Sequence, residues 1–351
     1  MPTTNLRSVL YAIGAAALFG MSTPLAKQLL GSIDPWMLAG LFYLGSGAGL
    51  FLLRLLRRET SHTAEAQLSR KDAPWLAGAI LSGGVVGPVL LMWGLTLTPA
   101  STASLLLTLE GVATALIAWF AFHENFDRRI ALGMAAIVAG AAVLSWPQSF
   151  DLGDSRGPLL IAAACVAWGI DNNLTRKVAL ADPTQSTMIK GLVAGSVNFA
   201  LAFWSGANLP QADVALLAGV IGFFGYGLSI VLFILALRGL GTARTGAYFS
   251  TAPFLGAVVA IPLLGEGLSP QLALAGILMA AGVWLHLTER HEHEHEHDDM
   301  EHTHSHVHDQ HHRHVHILGD PPGEPHTHRH AHTRLRHSHV HTPDSHHRHS
   351  H

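Results

Sequence analysis

PASTASLLLTLEGVATALIAWFAFHE, which occupies residues 99–124, is an apolar run long enough to cross a bilayer, with one carboxylate, Glu110, near its middle. A second run, GTARTGAYFSTAPFLGAVVAIPLLGE at residues 241–266, matches the first at a constant offset of 142, so that Glu124 corresponds to Glu266. Both runs end in a glutamate that follows a long apolar stretch. This match indicates that the chain contains a duplication.

A second pair of matching stretches lies at the start of each half. AAALFGMSTPLAK at residues 15–27 corresponds to ACVAWGIDNNLTR at residues 164–176, with an offset of 149. In this alignment Gly20 corresponds to Gly169. We therefore interpret the chain as two copies of one unit followed by a tail, with boundaries at 7–146, 157–288 and 289–351.

Composition separates the tail from the rest of the chain. Residues 291–351 contain 23 of the 26 histidines, whereas residues 1–290 are apolar and rich in glycine. The net charge of −3 comes mostly from the tail, and no basic surface suited to nucleic acid is present. The single cysteine, Cys165, excludes a disulfide framework.

Apolar runs of about 20 residues, long enough to cross the hydrocarbon layer, predict membrane-spanning helices. Pro and Gly inside these runs are tolerated in packed membrane helices. Alternating strand patterns of about ten residues, which a membrane barrel would need, are missing. Ten runs meet the length criterion, near residues 8–29, 35–56, 74–97, 99–122, 128–146, 157–178, 184–205, 212–237, 243–264 and 270–288.

Lys and Arg residues cluster in alternate loops, which predicts a cytoplasmic location for those loops and for both termini. Five helices is an odd number, so the second copy enters the membrane with the opposite orientation. This is the inverted-repeat architecture of secondary transporters. The clustered residues are Arg7, Arg54, Arg57, Arg58, Arg70, Lys71, Arg128, Arg129, Arg176, Lys177, Arg238 and Arg244.

Each half opens with an aromatic residue followed by glycine, at Phe19-Gly20 and Trp168-Gly169, and ends its fourth run with a glutamate. With these features the chain resembles the EamA-type members of the drug/metabolite transporter superfamily. The two halves differ at one place, where Glu110-Gly111 in the first corresponds to Ala252-Pro253 in the second. The resemblance implies a ten-helix bacterial inner-membrane permease that moves small metabolites, often outward, without naming the substrate.

Glu110 is the first candidate for a functional residue. A carboxylate in the middle of a span costs about 2.5–3.5 kcal/mol on insertion scales, and Glu110 has no counterpart in the second half. We favour a substrate or proton site. The alternative is a structural pair with a buried Lys or Arg, or a hydrogen bond between helices.

Asp171, Asn172 and Asn173 are three successive polar residues deep in the sixth run. They cover most of a helical turn, so at least one of them faces another helix or a wet cavity. We favour a substrate path lined by these residues over a purely structural cluster.

Lys190 lies in the first turns of the seventh run, where the preferred interpretation is snorkelling to the surface and the alternative is an ion pair with Asp171 or Glu110. Gly20 and Gly169 are expected to allow close helix approach beside the path. Glu124 and Glu266 are expected at the membrane interface, solvated or holding a loop.

The tail is too polar to bury a core, so its composition predicts disorder. Histidines at i and i+2 lie on one side of an extended chain about 6.5–7 Å apart, which suits weak binding of zinc, nickel or copper. The candidate ligands are His291, His293, His295, His297, His302, His304, His306, His308, His311, His312, His314 and His316.

The sequence thus predicts an all-α membrane protein with ten transmembrane helices as two inverted five-helix repeats plus a disordered tail. No catalytic motif is found, so the protein is not expected to be an enzyme or to require a cofactor. The first hypothesis is a secondary transporter of small metabolites, in contact with the lipid bilayer. The alternatives are a divalent-metal exporter loaded by the tail and a membrane metal or pH sensor. A homodimer is left open.

Overall fold

The computed structural model of the chain describes most of the two halves and part of the tail. In the halves it covers residues 6–56, 68–122, 128–146, 155–175, 178, 182–240 and 242–287. In the tail it covers residues 291–297, 300–306, 326–332 and 335–341.

The first half folds into helices that end where Gly, Pro and polar residues interrupt the apolar runs. A π-helical segment, Ile80–Val86, joins two of these helices into one rod, and a two-residue break separates another pair. The helices are α1 (Leu6–Leu29), α2 (Pro35–Leu56), α3 (Ala73–Ala79), α4 (Gly87–Leu97), α5 (Ala100–Leu106), α6 (Leu109–Phe122) and α7 (Arg128–Ser145).

The second half repeats this order, again with a π-helical segment, Phe223–Leu228, in its third rod and a break in its fourth. Asp182 caps α9 by accepting hydrogen bonds from the backbone N–H groups of Thr184 and Gln185. The helices are α8 (Arg156–Thr175), α9 (Pro183–Trp204), α10 (Ala212–Gly222), α11 (Ser229–Leu240), α12 (Thr242–Phe249), α13 (Ala252–Leu264) and α14 (Pro270–Leu287).

The two halves interleave. Helix α2 packs against α9, α7 against α14, α1 against α11 and α13, and α8 against α4 and α6. Glycines permit the closest approach: a Cβ atom at Gly47 would lie 2.5 Å from the Leu192 nitrogen, and one at Gly191 would lie 2.7 Å from the Gly47 nitrogen. The core therefore forms between the halves, not within each of them.

The helices confirm the prediction of an all-α membrane protein. In the described part of the chain, α-helices and π segments combine into ten rods, and large apolar side chains such as Phe120, Leu216 and Ile277 are exposed on the surface. Seven described segments are long and apolar enough to span a bilayer: Leu6–Leu29, Pro35–Leu56, Ala73–Leu97, Ala100–Ala121, Arg128–Ser145, Thr184–Trp204 and Ala212–Ala236.

Three rods fall outside that group. Ala252–Leu264 and Pro270–Leu285 are shorter apolar helices. Helix α8 has 20 residues but ends in the polar run from Asp171 to Asn173. The exact count of ten spans and the inverted orientation of the two halves therefore stay predictions.

The tail contains extended segments where the composition had predicted disorder. Strand β1 (His291–His297) pairs antiparallel with β4 (Leu335–His341), and β2 (Met300–His306) pairs antiparallel with β3 (His326–His332). Histidine at alternate positions has the period of a strand, which favours this conformation locally. Two-stranded ribbons are marginal in water on their own. Five of the predicted ligands, His308, His311, His312, His314 and His316, lie outside the described residues.

Candidate functional site

A buried ion pair joins α8 to α9 in the interior. Asp171 is 4 % exposed, and its Oδ2 atom pairs with the Lys190 ammonium. The other oxygen, Oδ1, accepts a hydrogen bond of 2.9 Å from Thr175 Oγ1. Both carboxylate oxygens of Asp171 are thus occupied. Of the two interpretations of Lys190, the structure has the ion pair and not the snorkelling side chain.

Glu110 lies where the fourth rod is broken. The sequence predicted one continuous helix with Glu110 near its middle, but the rod divides between Leu106 and Leu109, so Glu110 falls in the first turn of α6. The predicted span remains, since Ala100–Ala121 is long and apolar enough to cross a bilayer, but the expectation of one unbroken helix was wrong. The sequence gives no sign of the break, because Leu107 and Thr108 are residues that membrane helices commonly contain. Helix N-termini favour a negative charge, so the break places Glu110 where its carboxylate is stabilised.

Amide side chains of α8 connect it to α6. Asn172 Nδ2 donates to Glu110 Oε1 at 2.9 Å and to Thr114 Oγ1 at 3.1 Å. Asn173 is buried, and its Nδ2 donates to the backbone oxygens of Thr114 at 3.1 Å and Gly169 at 2.8 Å. The polar run that sequence analysis singled out therefore spans the contact between the two halves.

The first π-helical segment forms another wall of this network. The Gly83 oxygen accepts hydrogen bonds from Tyr43 OH at 2.7 Å and from Trp168 Nε1 at 2.9 Å. The neighbouring Gly84 oxygen accepts one from Asn198 Nδ2 at 2.9 Å. Widened helical turns expose carbonyl groups, and here side chains of three other helices satisfy them.

Sequence analysis missed the role of this segment. A Cβ atom at Gly83 would lie 2.0 Å from Asp171 Oδ2, so glycine is required for the carboxylate to lie against the π turn. The sequence does mark this position: Gly83 is followed by a second glycine, Gly84, and it corresponds to another glycine, Gly225, at the offset of 142.

The second π-helical segment supplies an aromatic surface beside the first. The ring of Tyr226 lies 5.4 Å from that of Tyr43 and 5.9 Å from that of Phe19, measured between centroids. The Gly225 oxygen accepts a hydrogen bond from Ser229 of the same rod. Charged groups thus come from α6, α8 and α9, and the second π segment contributes aromatic groups.

Gly20 and Gly169 both lie at close helix contacts. A Cβ atom at Gly20 would lie 2.3 Å from the Ala252 oxygen, and one at Gly169 would lie 3.0 Å from the Ala113 carbonyl carbon. Ala252 corresponds to Glu110 at the offset of 142. Each glycine therefore contacts the fourth rod of the other half, close to its break.

At one end of the bundle, the carboxylate of Glu266 caps α5. Its Oε1 accepts from the Ala100 nitrogen at 2.6 Å, and its Oε2 accepts from the Ser101 nitrogen at 2.8 Å. Lys27 donates to the Leu95 oxygen nearby. Of the two expectations for Glu266, the structure has the one in which it holds a neighbouring segment. The corresponding residue, Glu124, lies outside the described residues.

Among side chains that the structure describes, no group of three or more His, Cys, Asp or Glu residues is placed to hold a metal ion.

Comparison with known proteins gives two matches to one family. The EamA-like transporter family matches residues 6–146 and again residues 155–288, which agrees with the duplication. An uncharacterized transporter of Methanothermobacter thermautotrophicus is 29 % identical over 288 residues, covering 78 % of this chain and 84 % of the relative.

Two further relatives extend the comparison. A probable terminal-alkyne amino-acid exporter of Streptantibioticus cattleyicolor is 28 % identical over 226 residues, covering 61 % of this chain and 73 % of the relative. A protein of known crystal structure shares the fold with a TM-score of 0.59 at 20 % identity, covering 80 % of this chain and 95 % of that protein.

Proposed function

Because the chain belongs to the EamA-like transporter family and is a multi-pass membrane protein, we propose that it is a secondary-active exporter of small metabolites. Transport proceeds by alternating access between two inverted five-helix repeats. The protein resides in the bacterial inner membrane with both termini in the cytoplasm.

The buried ion pair between Asp171 and Lys190 carries this proposal. Charged side chains are expensive in the membrane interior and mark substrate or ion pathways there. A salt bridge adds little stability compared with apolar residues of the same volume, so packing alone does not account for this pair. Its position against the π turn at Gly83 puts it beside broken helices, as in transporter binding sites.

The arrangement of the two repeats supports alternating access. Each repeat contributes five rods, an odd number, and Lys and Arg occur in alternate loops, which together favour opposite orientations. Contacts run mostly between the repeats, so the movement that exposes the site alternately takes place where helices of the two repeats pack against each other, around the polar network.

The proposed substrate path is lined by the polar residues that lie within the apolar runs and meet in one network. Glu110, Asp171 and Lys190 supply charge, and Asn172 and Asn173 supply neutral hydrogen-bonding groups. Gly20 and Gly169 allow the fourth rods to approach closely at either side. The exporter among the relatives supports the outward direction.

An untargeted comparison of metabolites in medium and cytoplasm tests this function. Cells that produce the protein should release one class of small solute, and cells that produce Asp171→Asn should not. Asp213→Asn is the matched control, because Asp213 is an exposed carboxylate in the first turn of α10. If wild-type and protein-free cells release the same solutes, the proposal fails.

For the tail we propose weak, exchangeable binding of divalent metals, separate from the transport path. The strand register favours it, since it sets histidine opposite histidine at alternate positions. These pairs are His291 with His341, His293 with His339, His295 with His337, His302 with His330, His304 with His328 and His306 with His326.

A further inference from the structure

A groove lies on the surface of the bundle where α4 ends and α8 begins. It has a volume of about 350 Å³ and is lined by Leu97, Arg156, Leu159 and Leu160. Leu97 is 56 % exposed and Leu159 is 66 % exposed, so the apolar wall of the groove is accessible to lipid. Because α4 belongs to the first repeat and α8 to the second, a molecule in this groove contacts both repeats.

Close packing holds the two helices together on the inner side of the groove. A Cβ atom at Gly94 of α4 would lie 2.6 Å from Ile161 Cγ1 of α8. A Cβ atom at Gly157 would lie 2.1 Å from Thr98 Oγ1, just after the end of α4. The groove is therefore part of the contact between the repeats.

The groove lies at the level of the lipid headgroups. Leu97 is the last residue of α4 and Arg156 is the first of α8, so the groove forms where the apolar helices meet polar loops. Trp93, one turn before Leu97, is exposed, and Trp is enriched at this level of membrane proteins. A lipid can thus place its headgroup beside Arg156 and its acyl chains along the helices.

Arg156 is unusual for this side of the membrane. The alternation of Lys and Arg predicts that the loops on this side lie outside the cytoplasm, and Arg156 is the one basic residue that adjoins them. Arg156 is exposed, and no described carboxylate lies within 4 Å of its guanidinium group. Asp151 and Asp154 of the preceding loop lie outside the described residues. The loops concerned are 30–34, 98–99, 146–155, 205–211 and 265–269.

The chemistry of the groove suits a phosphate group that carries an apolar chain. A guanidinium group can donate two parallel hydrogen bonds to a phosphate. The first turn of a helix adds backbone N–H groups without intrahelical partners and the positive end of the helix dipole. A free phosphate ion would leave the apolar wall uncovered, and an uncharged apolar molecule would leave Arg156 without a counter-ion.

We propose that this groove binds an anionic phospholipid of the bilayer. The phosphate lies at Arg156 and the first turn of α8, and one acyl chain lies along Leu97, Leu159 and Leu160. Covering the apolar wall and pairing the guanidinium group both favour binding. The lipid contacts both repeats and so stabilises the packing of α4 against α8, at a site separate from the polar network of Asp171 and Lys190.

Native mass spectrometry of the full chain, with equimolar phosphatidylglycerol and phosphatidylcholine of identical acyl chains, tests this assignment. We expect phosphatidylglycerol to be retained about fivefold more, as for one basic residue beside an anionic headgroup. Arg156→Gln should remove this preference, whereas Leu159→Ser should lower retention of both lipids. Arg128→Gln is the matched control, because Arg128 is also exposed and is also the first residue of a helix, α7.

Photoreactive phosphatidylglycerol locates the lipid, and it should attach mainly to residues 94–97 and 156–161. Four results would overturn the assignment. Equal retention of the two lipids by the wild type shows that charge is not recognised. An equal loss in Arg156→Gln and Arg128→Gln shows a general effect of surface charge. Attachment spread evenly over the helices shows ordinary contact with the bilayer. Displacement of the lipid by millimolar inorganic phosphate shows an anion site in which the apolar wall has no role.

Discussion

Both repeats contain the same series of rods, but the side chains of the third and fourth rods differ between them. The fourth rod has Glu110-Gly111 after its break in the first repeat and Ala252-Pro253 in the second. The series of rods is therefore the same in both repeats, whereas the polar groups placed at the break are not. On the proposed function, duplication supplied the movement, and differences between the two copies supplied the site.

The two π-helical segments show the same division. Carbonyl groups of the first, at Gly83 and Gly84, accept hydrogen bonds from side chains of α2, α8 and α9. In the second, the Gly225 oxygen is satisfied by Ser229 of its own rod. The first segment is thus tied to both repeats, and disturbing it should cost more than disturbing the second.

The largest effect is expected from Asp171→Asn, which leaves the Lys190 ammonium buried without its partner. Stability should fall by about 3–5 kcal/mol, and transport should be lost. The double variant Asp171→Leu with Lys190→Met, which replaces the pair with apolar groups, should recover stability but not transport. Thermal unfolding in detergent and flux in proteoliposomes measure the two quantities. Recovery of transport in the double variant would contradict a functional role for the pair.

The stability and flux of Gly83→Ala and Gly225→Ala, measured side by side, compare the two π segments directly. The new methyl at position 83 would overlap Asp171 Oδ2, and overpacking of this kind costs about 1–3 kcal/mol. At position 225 the nearest atom is Ser22 Cβ at 2.7 Å, which predicts a smaller loss of both stability and flux. Gly246→Ala, with no atom within 4 Å, is the control. Equal losses at 83 and 225 would show that the segments are equivalent.

A smaller effect is expected from Glu266→Gln, which weakens the cap on α5 that joins the two repeats. The loss of charge-assisted hydrogen bonds to Ala100 and Ser101 should reduce stability by about 1 kcal/mol. Thermal unfolding measures this loss. Asp72→Asn is a suitable comparison, since Asp72 bonds Ser69 within one short segment and not across the repeats. A loss of stability no larger than that of Asp72→Asn would mean that the contact between repeats stabilises the protein no more than a local hydrogen bond does.

The smallest effect on transport is expected from deletion of residues 291–351. Flux through the helical part should be unchanged, because its described polar network contains no tail residue. Zinc binding by the purified protein, measured by titration calorimetry, should fall to near zero. Loss of flux on deletion would instead connect the tail to the transport cycle.

Much of the architecture could be predicted from local patterns. The ten rods follow the ten apolar runs, and the family matches fall on both halves. The candidates Glu110, Asp171, Asn172 and Asn173 lie in one network because polar residues within apolar runs must find partners. For Lys190 the preferred interpretation, snorkelling, was wrong, because its position near the end of the run does not show that Asp171 lies within reach.

The sequence by itself determined the class of protein, the duplication and the polar residues at the contact between the two halves, because these depend on hydropathy, length and internal similarity along the chain. Only the tertiary structure decided the break before Glu110, the π turns at Gly83 and Gly225, and which charge pairs with Asp171. Helix breaks and ion pairs depend on what neighbouring rods place against a given turn. That information comes from residues well outside the local pattern, 19 positions away for Lys190 and Asp171 and 114 positions away for Asn198 and Gly84.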